Sequence, residues 1–195
     1  MSFELAVDIG GTFTDVVLQQ GIEQSTVKVL TTSDDPATGV MAGIDEVLQT
    51  TGADPTDARV MLHGTTLATN ALIERRGAIT ALLTTRGHRD ALEMALENRF
   101  EQYDVNIDRP VPLVPRELRL PVTERLDARG DVLIDLDEAS VEVLVPVLAA
   151  RQVNSIAVGL LHSYVNPSHE ERIAELLRAA LPGVSISLSS EVCPE

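Results

Sequence analysis

Residues 8–15 read Asp-Ile-Gly-Gly-Thr-Phe-Thr-Asp and join two runs in which apolar residues alternate with polar ones. Residues 3–8 and residues 14–19 therefore each predict a β-strand. A Gly-Gly pair between two strands favours a hairpin. The tight turn of such a hairpin places successive N–H groups on one concave face, a backbone arrangement that binds anions and is called a nest.

The turn residues predict a phosphate-binding site. Gly10 and Gly11 have no side chains, so phosphate oxygens can approach the backbone closely. Thr12 and Thr14 can add hydroxyl donors to the same site. The alternative is an ordinary Gly-Gly hairpin whose two threonines only satisfy the turn.

Two carboxylates flank the turn. Asp8 ends the first predicted strand, where it would repel a phosphate unless a cation lay between them. We therefore expect Asp8 to be a catalytic residue that holds Mg²⁺, through water. Asp15 could bind the same ion, or could fix the turn by accepting hydrogen bonds from backbone N–H groups.

The chain after this hairpin changes to strand and helix alternation. This order, three strands and then helix–strand–helix–strand–helix, is that of the ribonuclease H-like half of actin-type ATPases, although other folds share it. The predicted elements are a strand at 25–31, a helix at 36–48, a strand at 59–63, a helix at 66–75, a strand at 79–84 and a helix at 87–97.

The second half predicts a smaller α/β subdomain. We expect residues 1–103 to form the ribonuclease H-like ATPase lobe and residues 104–195 to form this subdomain. Its predicted parts are a proline-rich connection at 104–121, a hairpin of 122–127 with 131–135, a helix at 137–150 broken at Pro146, a strand at 154–160, a helix from Asn166 to Pro182-Gly183 and a strand at 184–188.

A second candidate segment lies where the strand predicted at 59–63 enters the next helix. Its members are His63, Gly64, Thr65, Thr66 and Asn70. Ligands of open α/β sheets lie at the carboxyl ends of the strands, and a helix N-terminus offers free N–H groups to an anion. The alternative is that Thr65 or Thr66 caps the helix and that His63 is a packed strand-end histidine.

Three further candidates also follow predicted strands. Arg86 and His88 come after the strand at 79–84, and Arg86 could offset the negative charge of a ligand. His162 follows the strand at 154–160 and could bind a substrate carbonyl or carboxylate. The alternatives are a solvated arginine and histidines whose hydrogen bonds are satisfied within the fold.

Composition excludes several classes of function. The 195 residues carry a formal net charge of −15, which repels nucleic acid and anionic lipid. The single cysteine, Cys193, rules out a disulfide within the chain, and the four histidines lack the spacing of a metal site. The sequence shows no signal peptide and no apolar run of membrane-spanning length, so we expect a cytoplasmic protein without nucleic-acid or membrane partners.

Four stretches together resemble the hydantoinase A/5-oxoprolinase family, which includes ATP-dependent N-methylhydantoinases and acetone-carboxylase subunits. They are DIGGTFTD at 8–15, HGTTLATNALIERRGA at 63–78, LLTTRGHRD at 82–90 and GLLHSYVNPSHE at 159–170. The resemblance implies an actin-like ATPase fold with ATP and Mg²⁺ as cofactors. It also implies hydrolysis of a cyclic amide, such as a hydantoin or 5-oxoproline, through phosphorylation of the substrate carbonyl, or carboxylation of a ketone.

The sequence departs from the family pattern in one respect. Family members are several times longer and carry a second phosphate motif in a following domain, which this sequence lacks. We therefore expect the chain to be inactive alone and to work on a small-molecule substrate with the remaining domain or a partner subunit, in an oligomeric full-length enzyme. Two alternatives are a small-molecule kinase of the same superfold and a non-catalytic module that docks on a partner subunit.

Overall fold

The computed structural model describes residues 2–32, 34–95, 103–104, 106 and 110–194. Its contacts divide the chain into two compact units, Met1–Gly77 and Ala78–Glu195, which are called unit 1 and unit 2 below. In the described parts of the chain, every helix is too short or too polar to cross a membrane.

Unit 1 contains one four-stranded sheet with the order β3-β2-β1-β4. The first three strands form an antiparallel meander, and β4 lies parallel to β1. Three sequential strands followed by a helix, a strand and a helix are the order of elements that the sequence predicted for this part of the chain. The elements are β1 (Phe3–Ile9), β2 (Phe13–Gln20), β3 (Glu23–Leu30), α1 (Pro36–Thr51), a single 3₁₀ turn (Pro55–Asp57), β4 (Ala58–Thr65) and α2 (Leu67–Glu74).

Helix α1 covers one face of this sheet. It begins after Asp35, whose Oδ1 accepts a hydrogen bond from the Ala37 N–H, and it ends at Gly52, which has a φ of +68°. The core beneath it consists of alternate strand residues and one stripe of the helix. These buried residues are Phe3, Leu5, Val7, Ile9, Val16, Leu18, Val40, Ile44 and Val47.

Unit 2 contains a parallel sheet with the order β10-β9-β5-β6 and a separate two-stranded hairpin of β7 and β8. Its elements are β5 (Thr80–Thr85), α3 (Ala91–Met94), a 3₁₀ turn (Arg116–Leu118), β6 (Arg119–Val122), β7 (Arg125–Leu126), β8 (Val132–Ile134), α4 (Glu138–Glu142), α5 (Val145–Ala150), β9 (Ser155–Gly159), α6 (Ser168–Ala180), β10 (Ser185–Leu188) and α7 (Ser189–Val192).

The division into units differs from the expected boundary after residue 103. Strand β5 is present where the sequence predicted it, but it pairs with β6 and β9 rather than with the sheet of unit 1. Unit 2 is therefore the longer part of the chain, not the smaller subdomain that was expected. A strand with apolar residues on both faces suits any parallel sheet, so its sequence does not specify its neighbours.

Two other predicted segments differ in detail. The helix predicted at 87–97 is a short helix at Ala91–Met94, and residues 96 and 97 lie outside the described part of the chain. The predicted connection at 104–121 ends in β6, an edge strand that tolerates Pro121 because it has a neighbour on one side only. The break expected at Pro146 is confirmed, since α4 and α5 are separate helices and this proline lies at the start of α5.

Candidate functional site

The turn between β1 and β2 is held by its own backbone. The Gly10 N–H donates a hydrogen bond to the Phe13 carbonyl oxygen at 2.9 Å. A Cβ atom on Gly10 would lie 2.8 Å from that same oxygen, so the turn requires a residue without a side chain there. Neither Gly10 nor Gly11 has a positive φ, so the turn needs its first glycine for space rather than for left-handed backbone.

The threonines of the turn behave differently from one another. Thr14 is fully buried, and its Oγ1 lies 3.0 Å from Oγ1 of Thr31, which in turn donates to the Gly10 carbonyl oxygen at 2.9 Å. Its hydroxyl therefore stabilises the turn from the core side. This corrects the expectation that Thr14 offers a hydroxyl to phosphate, because alternation along β2 turns it toward the core. Thr12 is exposed.

Two backbone donors of the turn are free. Within the described residues, the N–H groups of Gly11 and Thr12 have no hydrogen-bond partner. Both residues are exposed. Successive unpaired N–H groups at a turn can bind an anion, so two backbone donors are available for the predicted phosphate contact, which stays a prediction.

The N-terminus of α2 lies against this turn. The Thr66 N–H donates to the Ile9 carbonyl oxygen at 3.1 Å, and a Cβ on Gly11 would lie 3.1 Å from Nδ2 of Asn70. Thr65, rather than Thr66, supplies the hydroxyl that accepts a hydrogen bond from the Leu67 N–H. The positive end of α2 therefore adjoins the free N–H groups of the turn.

Asp8 and Asp15 face each other across β1 and β2, in direct register. Asp15 forms an ion pair with Lys28 at 2.8 Å, whereas the Asp8 carboxylate has no partner among the described residues. Gly64 is the neighbour of Asp8 in β4, and a Cβ there would lie 3.6 Å from Asp8 Oδ1. Asp8 is thus the carboxylate that is free to hold a cation.

A metal ion would depend on more than side chains here. No three His, Cys, Asp or Glu side chains are clustered as a metal site in the described ranges. Mg²⁺ commonly binds through one or two carboxylates and completes its shell with waters and phosphate oxygens. A single free carboxylate beside an anion-binding turn fits that mode, and it does not fit a metal site made by the protein alone.

His63 lies on a different face of the sheet from Asp8. The register of β4 with β1 pairs His63 with Val7, whereas Gly64 is paired with Asp8. Side chains of successive strand residues alternate between faces, so His63 and Asp8 lie on opposite faces of the sheet. The structure thus brings together Asp8, Gly10, Gly11, Thr12, Gly64, Thr65, Thr66 and Asn70.

The remaining candidates belong to unit 2. Arg86 is exposed in the turn that follows β5, and His88 Nε2 lies 2.9 Å from Nη1 of Arg125. His162 follows β9, has a φ of +61° and contacts the ring of Tyr164 edge to face. Arg125 escaped the sequence reasoning because it lies 37 residues from His88, and no local pattern links two such distant positions.

Several known proteins are similar to this chain. A family model of the hydantoinase/oxoprolinase N-terminal region matches residues 4–181. Caprolactamase subunit alpha of Pseudomonas jessenii is 35% identical over 99% of this chain, which spans 29% of that subunit. The acetophenone carboxylase gamma subunit of Aromatoleum aromaticum is 36% identical over 88% of this chain and 25% of its own length.

Solved structures agree with the sequence comparison. The nucleotide-free structure of acetone carboxylase, from work on ATP-dependent acetone carboxylation, matches with a TM-score of 0.85 and 27% identity, over 100% of this chain and 30% of that one. ATP-dependent caprolactamase from Pseudomonas jessenii matches with a TM-score of 0.83, over 98% of this chain and 29% of that one. The chain belongs to the hydantoinase/oxoprolinase family, and it corresponds to the N-terminal region of its members.

Proposed function

We propose that the chain is the N-terminal part of an ATP-dependent enzyme that opens cyclic amides, and that the β1–β2 turn holds phosphate of the nucleotide. One observation carries the proposal. The free N–H groups of Gly11 and Thr12 lie beside the N-terminus of α2. The unpaired carboxylate of Asp8 lies near the end of β1, the strand that leads into this turn.

Backbone donors suit a polyphosphate in this protein. The chain has a net charge of −15, so the long-range field of its surface repels an anionic ligand. N–H groups at short range, together with the positive end of α2, attract phosphate oxygens regardless of that field. The lack of a side chain on Gly10 and Gly11 keeps the approach open.

Asp8 is the residue that we assign to Mg²⁺, through water. Asp15 is already neutralised by Lys28, which leaves Asp8 as the free carboxylate of the pair. Bound Mg²⁺ would neutralise phosphate charge and orient the phosphoryl group for transfer. The part that this chain contributes is to position the nucleotide and to stabilise its charge.

The proposed substrate class rests on the relatives. The family is named for hydantoinase and oxoprolinase, and caprolactamase is 35% identical to this chain. An amide carbonyl is a weak electrophile. Transfer of the γ-phosphoryl group to its oxygen would release ADP and activate the carbon for attack by water. The resulting adduct would expel the ring nitrogen as an amine, which opens the ring and leaves an acyl phosphate. A second water would then hydrolyse the acyl phosphate to the carboxylate and free phosphate.

ATP-dependent carboxylation of a ketone is the second candidate. Acetophenone carboxylase and acetone carboxylase match nearly as well as caprolactamase does. Both reactions would begin with phosphoryl transfer to a carbonyl oxygen, so the turn would have the same role in each. The two candidates differ in the substrate and in the nucleophile that follows.

The test measures phosphate release by the full-length protein. The assays contain ATP and Mg²⁺ with a lactam, a hydantoin or 5-oxoproline, and in parallel with a ketone and bicarbonate. We expect Asp8→Asn to lower turnover about 100-fold or more, as loss of a charge-stabilising group does elsewhere. Asp15→Asn is the matched control and should stay within about threefold, because Lys28 already neutralises Asp15.

The outcomes separate the candidates. Release of phosphate that requires a cyclic amide supports the proposal, and release that requires a ketone with bicarbonate supports carboxylation. A stable phosphorylated product would identify a small-molecule kinase. Absence of ATP turnover with every substrate would favour a docking module. Equal losses in Asp8→Asn and Asp15→Asn would show that the carboxylates were misassigned.

The 195-residue chain alone should bind ATP weakly and should not turn it over. Its turn offers donors on one side only, while the nucleotide still loses its translational and rotational freedom. Calorimetry with ATP and Mg²⁺ measures this directly. Micromolar affinity would show that the 195-residue chain binds the nucleotide without a further domain.

A further inference from the structure

The parallel sheet of unit 2 has a reversal in its strand order. From β5 the chain passes to β6 on one side and later returns to β9 on the other side. Such a reversal opens a crevice at the carboxyl ends of the two central strands, which is where ligands of open parallel sheets lie. In unit 2 these are the ends of β5, at Thr85, and of β9, at Gly159.

A defined turn places a cation at the end of β5. The His88 N–H donates to the Thr85 carbonyl oxygen at 3.0 Å, and Gly87 between them has a φ of +94°, which is a type II turn. Arg86 occupies the exposed corner of that turn. Its guanidinium has no hydrogen-bond or ion-pair partner among the residues that the structure describes.

A second cation, Arg125, contacts His88, which lies two residues after Arg86, and it has no ion-pair partner among the described residues. Arg125 Nη1 lies 2.9 Å from Nε2 of His88, and because arginine can only donate, this imidazole nitrogen must accept. Arg116 and Arg172 of the same unit, by contrast, are paired with carboxylates.

Glu124, the neighbour of Arg125 in the sequence, is directed into the core. Glu124 is only 2% exposed. Its Oε1 accepts a hydrogen bond from Thr85 Oγ1, and its Oε2 lies 2.9 Å from Nδ1 of His169. Both of its oxygens thus have partners within the fold, and neither pairs with Arg86 or Arg125.

The end of β9 contributes an unusual residue at the same edge. The Leu161 N–H donates to Thr85 Oγ1 at 3.1 Å, which ties the segment after β9 to the end of β5. His162 comes next, with a φ of +61°. Left-handed backbone at a residue other than glycine costs on the order of 1 kcal/mol, and such residues cluster at ligand sites.

We propose that Arg86, Arg125 and His162 bind a small oxyanion, a carboxylate or a phosphate group, at this edge of unit 2. A planar guanidinium matches either group with two parallel hydrogen bonds. The site lies entirely within unit 2 and involves none of the residues assigned to the nucleotide. It therefore does not depend on the proposed function.

The test is a titration of the isotope-labelled 195-residue chain, followed by amide NMR spectra at neutral pH and constant ionic strength. One arm uses inorganic phosphate, and the other uses acetate. We expect saturable shifts at Gly87, His88 and His162. Arg86→Gln should weaken the apparent affinity about 10-fold, since a hydrogen bond to a charged group has that effect. Arg178→Gln, which removes an exposed arginine of α6, is the charge-matched control and should leave the affinity unchanged.

Saturation by phosphate at the lower concentration identifies a phosphate ligand, and saturation by acetate identifies a carboxylate. Arg86 is exposed, so its variant tests the site without disturbing the fold. Arg125→Gln is a second test of the site, and it should also abolish the anion-induced amide shift at His88. Shifts that do not saturate with either anion would overturn the proposal. So would an affinity that is unchanged in Arg86→Gln or that falls equally in Arg178→Gln.

Discussion

Replacing Gly10 with alanine should destabilise unit 1 more than the same change at two other glycines. The new Cβ would lie 2.8 Å from the Phe13 carbonyl oxygen, a backbone atom that cannot rotate away. Overpacking of this kind costs about 1–3 kcal/mol, and loss of the Gly10 N–H bond to that oxygen adds about 1 kcal/mol. The lower entropy of the unfolded alanine chain offsets about 0.5 kcal/mol. We therefore expect a net loss of about 1.5–3.5 kcal/mol.

Gly11 and Gly77 provide the graded comparison. A Cβ on Gly11 would lie 3.1 Å from Nδ2 of Asn70, the end of a side chain that can rotate, so the expected loss is below about 1 kcal/mol. A Cβ on Gly77 would meet no atom within 4 Å, so its alanine variant should be neutral or slightly more stable.

The assay is native-state hydrogen exchange on the 195-residue chain. It reports the opening free energy of the β1 and β2 amides separately from those of β5 and β9. The Gly10→Ala loss should appear in the amides of unit 1, in the order Gly10, Gly11, Gly77. Equal losses at Gly10 and Gly77 would refute the reasoning, because they would show that the turn accepts a side chain at its first glycine.

Three further predictions concern single side chains. In urea unfolding, Glu170→Ala should lower the free energy of unfolding by about 3 kcal/mol or more, because the buried carboxylate accepts four hydrogen bonds whose donors would be left unsatisfied. Glu171→Ala, at the exposed neighbouring position, is the control and should have almost no effect in the same experiment. The hydrogen bond from Arg116 lowers the pKa of Asp90, so Arg116→Gln should raise the pKa of Asp90 toward its ordinary value in a carboxyl ¹³C titration. A lowered pKa means that the pair stabilises the fold above the ordinary pKa and that this contribution is lost as the pH falls through the lowered value; an unchanged pKa in the variant would contradict this. Thr14→Val should lower the free energy of unfolding by about 1 kcal/mol in urea unfolding, because it removes a buried hydroxyl that contacts Thr31. It should not change the nucleotide affinity of the full-length protein, and a large loss of affinity would show that Thr14 does contact the phosphate.

Local patterns predicted unit 1 well. The alternation of residues 3–8 and 14–19 predicted β1 and β2, and the helix predicted at 36–48 is present as α1, three residues longer at its end. These features depend on residues that are near each other in the sequence. The elements around the turn could therefore be predicted before any tertiary contact was known.

The features that were not predicted depend on pairing across long separations. Strand β5 joins the sheet of unit 2 because it pairs with β6 and β9, and the sequence of residues 80–85 does not indicate those partner strands. The burial of Thr14 depends on its place in the alternation of β2, together with Thr31, 17 residues away. The face of His63 depends on the register between β4 and β1, which shifts by one residue near the start of β1.

The two sheets also differ in what they require during synthesis of the chain. Antiparallel β1, β2 and β3 are neighbours in sequence, so they can pair as soon as residue 30 has left the ribosome. Strand β5 must wait for β6 and then for β9, which begins at Ser155. Until then its buried residues Ala81 and Leu83 have no partner strand on one side. A nascent chain of intermediate length therefore presents a folded β1–β3 meander followed by an open strand edge, the kind of surface that chaperones shield.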